Sequence, residues 1–361
     1  MTVKNDGAIT VYFLSFVEPN YSRSSTLLNA ESTHLKKEYL KVSPKWRSLI
    51  IELLSIKKSL HRNSIILVMS PAQKITPIAR IILKQKIILD AGWPLTDGVL
   101  SRGLGVVKIP RLIGSYLMDL IAFHSSNLIL VESKLQLQRV SRNYSIPRSR
   151  LKVSYTGVNE IAFSKHFMPT QDFVEWKEVI LRKPKKLNVI FRGAINNEAG
   201  IETILIAADV LVNELNLVII ADRKRLPEKI PSNCFVFNFV SEEEMRELYR
   251  FCDVALGQIS ENERLNYTIP HKAFEAGYFA KTYITPRVGG IAEIYSLAAV
   301  YFLDEVNVRG LVEALKTLYD KEIRFGFEQQ IQQEYNDNLS QPVIASRFEK
   351  EVRTIMGSSI Q

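Results

Sequence analysis

Short apolar runs recur along this 361-residue chain, and stretches of helical periodicity separate them. In the first half the runs are ITVYFLSF (9–16), SIILVMS (64–70), KIILDA (86–91), NLILVES (127–133) and LKVSYTG (151–157). In the second half they are LNVIFRG (187–193), NLVIIAD (216–222), CFVFNF (234–239), DVALGQ (253–258), TYITPR (282–287) and AVYFLD (299–304). Runs apolar at consecutive positions, rather than at alternate ones, belong to strands covered on both faces, as in a parallel sheet. Their regular alternation with helices predicts an α/β protein of doubly wound, Rossmann-like parallel sheets. Between the two series lies AFSKHFMPTQDFVEWKEVILRKPKKL (162–187), with Pro169 and the polar run RKPKK, and a domain boundary is expected there. Ligands of open α/β sheets sit beyond the carboxyl ends of the strands, so the expected site is a cleft between two such domains. A dehydrogenase, a binding protein or an epimerase would show the same pattern.

One helical stretch differs from the rest. SPKWRSLIIELLSIKKSLHR (43–62) predicts a helix with Ser43 as N-cap and Pro44 as first helical residue. Trp46, Leu49, Ile50, Leu53 and Ile56 form its apolar face, and Lys45, Arg47, Lys57, Lys58 and Arg62 surround that face. Such a helix either packs on a core with a basic rim or lies on an anionic membrane.

Charge adds weight to the second option. The net charge is +9, but residues 1–165 carry 24 Lys and Arg against 10 Asp and Glu, while the remainder is acidic. The first half therefore expects an anionic partner. Aromatic-interleaved basic motifs are missing, which argues against nucleic acid. With 46% hydrophobic residues the chain can bury large cores, and its two cysteines, Cys234 and Cys252, make no disulfide framework, which fits a reducing compartment. The five histidines are scattered without metal-ligand spacing, so no metal is expected. Neither a signal-peptide pattern nor an apolar run long enough to span a membrane is present, so the expected location is cytoplasmic, with contact at the inner face of the membrane.

The candidate chemistry lies in the second half. In VIFRGAINNEAGIETILIAADVL (189–211) a buried strand enters a Gly-containing loop and then a helix, an arrangement that suits a diphosphate. The stretch 253–293 adds a strand, IPHKAFEAG, and TYITPRVGGIAEI. Lys272 and Glu275, three residues apart, share one helix face. A carboxylate there can accept hydrogen bonds from a ribose diol, an ammonium can neutralise phosphate, and Gly289 and Gly290 permit close backbone approach to a ligand ahead of Glu293.

These elements resemble the group 1 (family 4) retaining glycosyltransferases of GT-B architecture, in the subgroup whose site reads Pro-x-Lys-x-Phe-Glu. Here the string is Pro270, Lys272, Phe274 and Glu275. SEEEMRELYRFCDVALG (241–257) is similar to the helix and strand before that site. Residues 128–163, with Ser133 after a strand and a Thr-Gly-Val-Asn turn, are similar to the end of the family's acceptor domain, and 87–102 to its acceptor-side loop. The resemblance implies an acceptor-binding domain over 1–165 and a donor-binding domain over 185–340. It also implies a C-terminal helix within 341–361 that packs back on the first domain. The donor is then a nucleotide-diphosphate sugar, with no further cofactor, and the acceptor a glycan or lipid-linked molecule. Glu275 matches the glutamate that holds the donor ribose, Gly193 the glycine of the first diphosphate loop, and Gly289, Gly290 and Glu293 the loop and helix start beside the donor.

The sequence departs from the family pattern at three places. Tyr267 stands where many members carry an earlier glutamate, and Ala194 and Ala199 stand where many carry Arg and Lys. The cation that meets the leaving diphosphate must therefore be another, with Lys272 first and Arg192 and Arg287 behind it. On the acceptor side, Asp90 and Asp97 flank AGWPLT and are the candidate groups to orient or deprotonate a hydroxyl. Asp97, followed by Gly98, also reads as a turn residue. The alternatives to a transferase are a non-catalytic sugar-nucleotide-binding relative and a GT-B nucleotide-sugar epimerase.

Overall fold

Near-continuous apolar strands need cover on both faces, and the computed structural model shows two sheets so covered. It describes residues 8–19, 22–101, 109–164, 173–174, 178, 186–238 and 240–357, so most of the expected boundary stretch lies outside the described residues. The chain divides into two compact units, one of residues 1–156 with 341–361 and one of residues 157–340.

The first unit runs β1 (Ile9–Ser15), α1 (Ser22–Asn29), β2 (Leu35–Lys41), α2 (Trp46–Ser59), β3 (Ser64–Met69) and α3 (Ile75–Leu83). It continues with β4 (Lys86–Gly92), α4 (Leu95–Leu100), α5 (Ile109–Ser125), β5 (Leu128–Val131), α6 (Lys134–Tyr144) and β6 (Leu151–Val153). Its sheet is parallel, in the order β2-β1-β3-β4-β5-β6. Alternation along each strand splits the core in two. Tyr12, Leu14, Ile66 and Val68 face Leu49, Leu53, Ile75 and Ala79 of α2 and α3. Their neighbours Val11, Phe13, Ile65 and Leu67 face Ile344, Phe348 and Val352, from the helix Gln341–Met356. That helix also receives Ser32 Oγ on Glu349 at 2.6 Å, and its Gln341 side chain donates to the Thr26 carbonyl at 2.9 Å.

The second unit runs α7 (Glu160–Ser164), β7 (Leu187–Arg192), α8 (Ile201–Val210), β8 (Leu215–Ile220), β9 (Cys234–Phe237), α9 (Glu242–Phe251) and β10 (Val254–Leu256). Then come α10 (His271–Tyr278), β11 (Thr282–Pro286), α11 (Gly289–Ile294), β12 (Tyr301–Leu303), α12 (Val308–Thr317) and α13 (Lys321–Asn338); the returning helix Gln341–Met356 is α14. Its sheet is parallel, in the order β12-β11-β10-β7-β8-β9. Ile204, Leu205 and Ala208 of α8 pack on it with Leu311, Ala314 and Leu315 of α12.

Two local expectations are corrected. The helix expected from Ser43 begins at Trp46, after an extended Lys45 that provides no side-chain cap. Ser43 instead donates its amide to Glu52 at 2.6 Å, which keeps it outside the helix. Only Leu49 and Leu53 of the expected apolar face are buried, while Trp46 is 52% and Ile50 41% exposed.

Candidate functional site

The second unit gathers its unusual chemistry at the carboxyl end of β7. Arg192 closes that strand, and Gly193 follows with φ of 141°, a conformation side chains resist. The loop then returns at Gly200 (φ 65°), which starts α8. A Cβ on Gly200 would lie 1.8 Å from the Ile259 carbonyl oxygen, so this glycine is required by packing. Glu198 holds the loop from the other side, paired with Arg264 at 2.6 Å.

Helix α10 supplies the charges. Pro270 precedes it in extended conformation, and Lys272 through Gly277 are all buried. Burying a lysine and a glutamate on one short helix demands partners. Glu275 is fully buried. Its Oε1 accepts from Arg192 at 2.8 Å and lies 2.9 Å from His271 Nδ1, and its Oε2 accepts from the Tyr249 hydroxyl at 2.7 Å. His271 Nε2 is 3.0 Å from the Gly157 carbonyl oxygen. Burial alone would raise the Glu275 pKa, but Arg192, then His271 and Tyr249, pull it down to about 2. Tyr249 arrives on α9, whose start is fixed by reciprocal bonds between Ser241 and Glu244, and its ring stacks on Phe279 at 4.8 Å.

Lys272 is in the opposite situation. It is 6% exposed, and its ammonium sits 4.0 Å from the centre of the Phe191 ring. A Cβ placed on Gly193 would touch that ammonium at 3.5 Å, so Lys272 Nζ lies directly under the loop glycine. Burial, and then the neighbouring Arg192 charge, push its pKa down to about 7 against the pull of Glu275 and Glu198. A poorly neutralised, largely buried ammonium beneath a glycine at a strand end is arranged to receive an anion.

The remaining expected site residues lie on other elements. Gly289 and Gly290 begin α11, and a Cβ on Gly290 would lie 2.4 Å from the Thr268 carbonyl oxygen, so its smallness serves chain packing. Glu293 sits further along the same helix, half-buried. Arg287 is exposed. Asp90 and Asp97 belong to the first unit, and both are engaged. Asp90 is fully buried and receives Arg23 on both oxygens at 2.7 and 2.8 Å, while Arg23 also donates to the Ser154 carbonyl. Asp97, expected at a turn, lies in the first turn of α4 and pairs with Arg139 at 2.9 Å. Arginines thus engage both carboxylates in this geometry. Asp90→Asn is accordingly expected to cost about 3 kcal/mol or more, by stranding a buried guanidinium. Urea denaturation reads this, and a catalytic Asp90 would instead show little stability loss.

Sequence reasoning passed over Arg23, Tyr249 and His271. His271 had a legible signal, standing four residues before Glu275 on one helix face. Arg23, 67 positions from Asp90, had none.

Residues 172–337 match the family model described as Glycosyl transferases group 1. Among solved structures, Anabaena HepE in complex with UDP-glucose is similar with a TM-score of 0.72 at 11% identity, covering 96% of this chain and 100% of that one. A glycosyltransferase from Rickettsia africae gives 0.70 at 12% identity, over 98% of this chain and 100% of its own. S. aureus MnaA with UDP gives 0.60 at 12% identity, over 98% of each chain. No curated protein matches the sequence. At such identities these structures share the fold with this chain, and that fold is GT-B.

Proposed function

We propose, from the match of residues 172–337 to the group 1 glycosyltransferase model, that this chain transfers a sugar from a nucleotide diphosphate to a glycan or lipid-linked acceptor, with retention and without a metal. The observation that carries the reading is Lys272 Nζ, largely buried beneath Gly193 with Arg192 beside it at the end of β7. Departure of a nucleoside diphosphate develops negative charge, and fixed cations stabilise it most where water is excluded. Lys272 and Arg192 fill the part that Ala194 and Ala199 leave open in the first loop. The sugar carbon passes through an oxocarbenium-like state, and attack from the same face lets the leaving phosphate take the acceptor proton.

Glu275 takes a narrower role than the resemblance implies. Its carboxylate already meets Arg192, His271 and Tyr249, so we assign it as the positioning residue for Arg192 and for the start of α10. Gly193 lets the diphosphate approach Lys272, while Gly289, Gly290 and Glu293 remain the side from which the nucleotide is approached. UDP is the first nucleotide to try, since HepE and MnaA were each solved with it.

A thermal-shift screen of nucleoside diphosphates and their sugars tests the reading. One donor class should raise the melting temperature, and product analysis with that donor should show transfer or slow hydrolysis with the anomeric configuration kept. Conversion of the sugar at C2 would point to an epimerase instead, and stabilisation without turnover to a binding relative.

A further inference from the structure

Most helices of this protein bury their apolar side chains, but three neighbouring helices of the first unit also carry apolar side chains outward. Helices α2, α3 and α5 lie side by side on one face of the sheet. Their inward residues, such as Leu49, Ala79 and Phe123, complete the core. On α5 the outward positions are Ile113 (55% exposed), Tyr116, Leu117 and Ile121 (each between 38% and 49%). On α2 they are Trp46, Ile50, Ile51 and Leu54, and on α3 Ile81 reaches 74%. Scattered apolar side chains on a surface need no explanation, but an outward set carried by three helices that pack on one another does.

The charges around this set are of one sign. Lys45, Arg47, Lys57 and Lys58 stand exposed on and beside α2, Arg80 and Lys84 on α3, and Arg111 on α5. The acidic residues of these three helices, Glu52 and Asp119, are both turned to backbone. Glu52 accepts the Ser43 amide, and buried Asp119 accepts the amides of Leu95 and Thr96. Lys74 adds its ammonium over the rings of Phe16 and Trp46, at 4.8 and 5.8 Å. Apolar side chains interleaved with cations, with an aromatic at the rim, match the headgroup–acyl boundary of an anionic bilayer. A protein partner of the same shape would need acidic groups to meet the cations, and a second copy of this chain would set cation against cation.

We infer that the outer face of α2, α3 and α5 docks this protein on an anionic lipid surface. Among the described residues no helix is long and apolar enough to cross a membrane, so the contact is a peripheral one. The inference does not rest on the donor-site reading, because none of its residues belongs to the second unit.

Sedimentation with vesicles tests it. The protein should bind vesicles of equal parts phosphatidylglycerol and phosphatidylcholine, should not bind phosphatidylcholine alone, and should be released by high salt. Ile113→Asp with Leu117→Asp should weaken partitioning roughly tenfold or more by removing the apolar anchor. Lys57→Glu with Lys58→Glu should do so by at least as much, at about fivefold for each basic side chain lost. These positions are exposed, so circular dichroism and the thermal shift given by UDP should match wild type in both variants. Equal binding to both vesicle types, or unchanged binding by both variants, would overturn the inference. So would a dimer in sedimentation velocity that the aspartate pair dissociates while vesicles are ignored, since the face would then belong to a second copy.

Discussion

Lys272→Met is expected to weaken nucleoside-diphosphate binding about 10- to 100-fold, the worth of a charge-assisted bond to phosphate, while making the free protein more stable below neutral pH. The two effects have one origin. The ammonium is buried over the Phe191 ring, and its pKa is pushed down to about 7 from the ordinary 10.5. Below pH 7 both folded and unfolded chains carry the proton, and the fold bears the whole cost of burying the charge. As pH rises from 7 towards 10 the folded chain releases the proton first, so wild-type stability should climb across this window. The methionine variant should lack that climb, and denaturation curves taken at several pH values decide the matter. A bound diphosphate reverses the shift by supplying the missing counter-charge. Binding at pH 8 should therefore take up close to one proton, and affinity should fall by about tenfold per pH unit above 7. Calorimetry in buffers of different ionisation enthalpy reads the proton directly. No uptake, together with unchanged affinity in the variant, would remove Lys272 from the site.

Glu275→Ala should cost about 3 kcal/mol of stability and abolish the thermal shift given by UDP. Removing the carboxylate leaves Arg192, His271 and the Tyr249 hydroxyl without their shared acceptor in a buried setting. Because the folded pKa of about 2 lies below the ordinary carboxylate value, this stabilisation is complete above about pH 5 and is lost as pH falls towards 2. The gap between wild type and variant should close over that range. A loss of binding alone does not say what Glu275 touches, and Glu275→Gln with inorganic pyrophosphate does. If Glu275 positions Arg192, the glutamine variant should weaken pyrophosphate and UDP by the same factor. If it holds the ribose, only UDP should suffer.

How much of this was legible in the sequence depended on how local the cause was. Eleven apolar runs corresponded to strands, because a strand buried on both faces is apolar at every position whatever its partners. The strand that escaped, β2, reads LKKEYLK. It lies at the edge of its sheet, where lysines and a glutamate protect the free backbone and blur the pattern. Lys272 and Glu275 were legible as candidates because their spacing along α10 is short-range, and Gly193 because it directly follows the apolar run of β7. Asp90 stayed ambiguous for the opposite reason. A carboxylate at the end of a parallel strand has the same sequence signature whether it meets a substrate or an arginine, and Arg23 reaches it only through the tertiary fold. Helix α2 went astray by a rotation. Its heptad-like spacing was real, but Trp46 and Ile50 belong to the outward side, and periodicity alone does not say which apolar side faces the core.

The two-sided core of the first sheet carries a consequence for how the molecule is made. Ile344, Phe348 and Val352 cover the face formed by Val11, Phe13, Ile65 and Leu67. Those strands leave the ribosome early, yet the helix that seals them is translated after the whole second unit. The usual order of vectorial synthesis, in which the leading domain matures first, is thus inverted here. Throughout translation of residues 157–340 the first sheet is half-roofed, with α1 the one described helix on that side, and the second unit is complete before the missing helix is made. A nascent chain paused before residue 341 would present a finished second unit and an unfinished first one, and that open apolar face is what a ribosome-associated chaperone would meet.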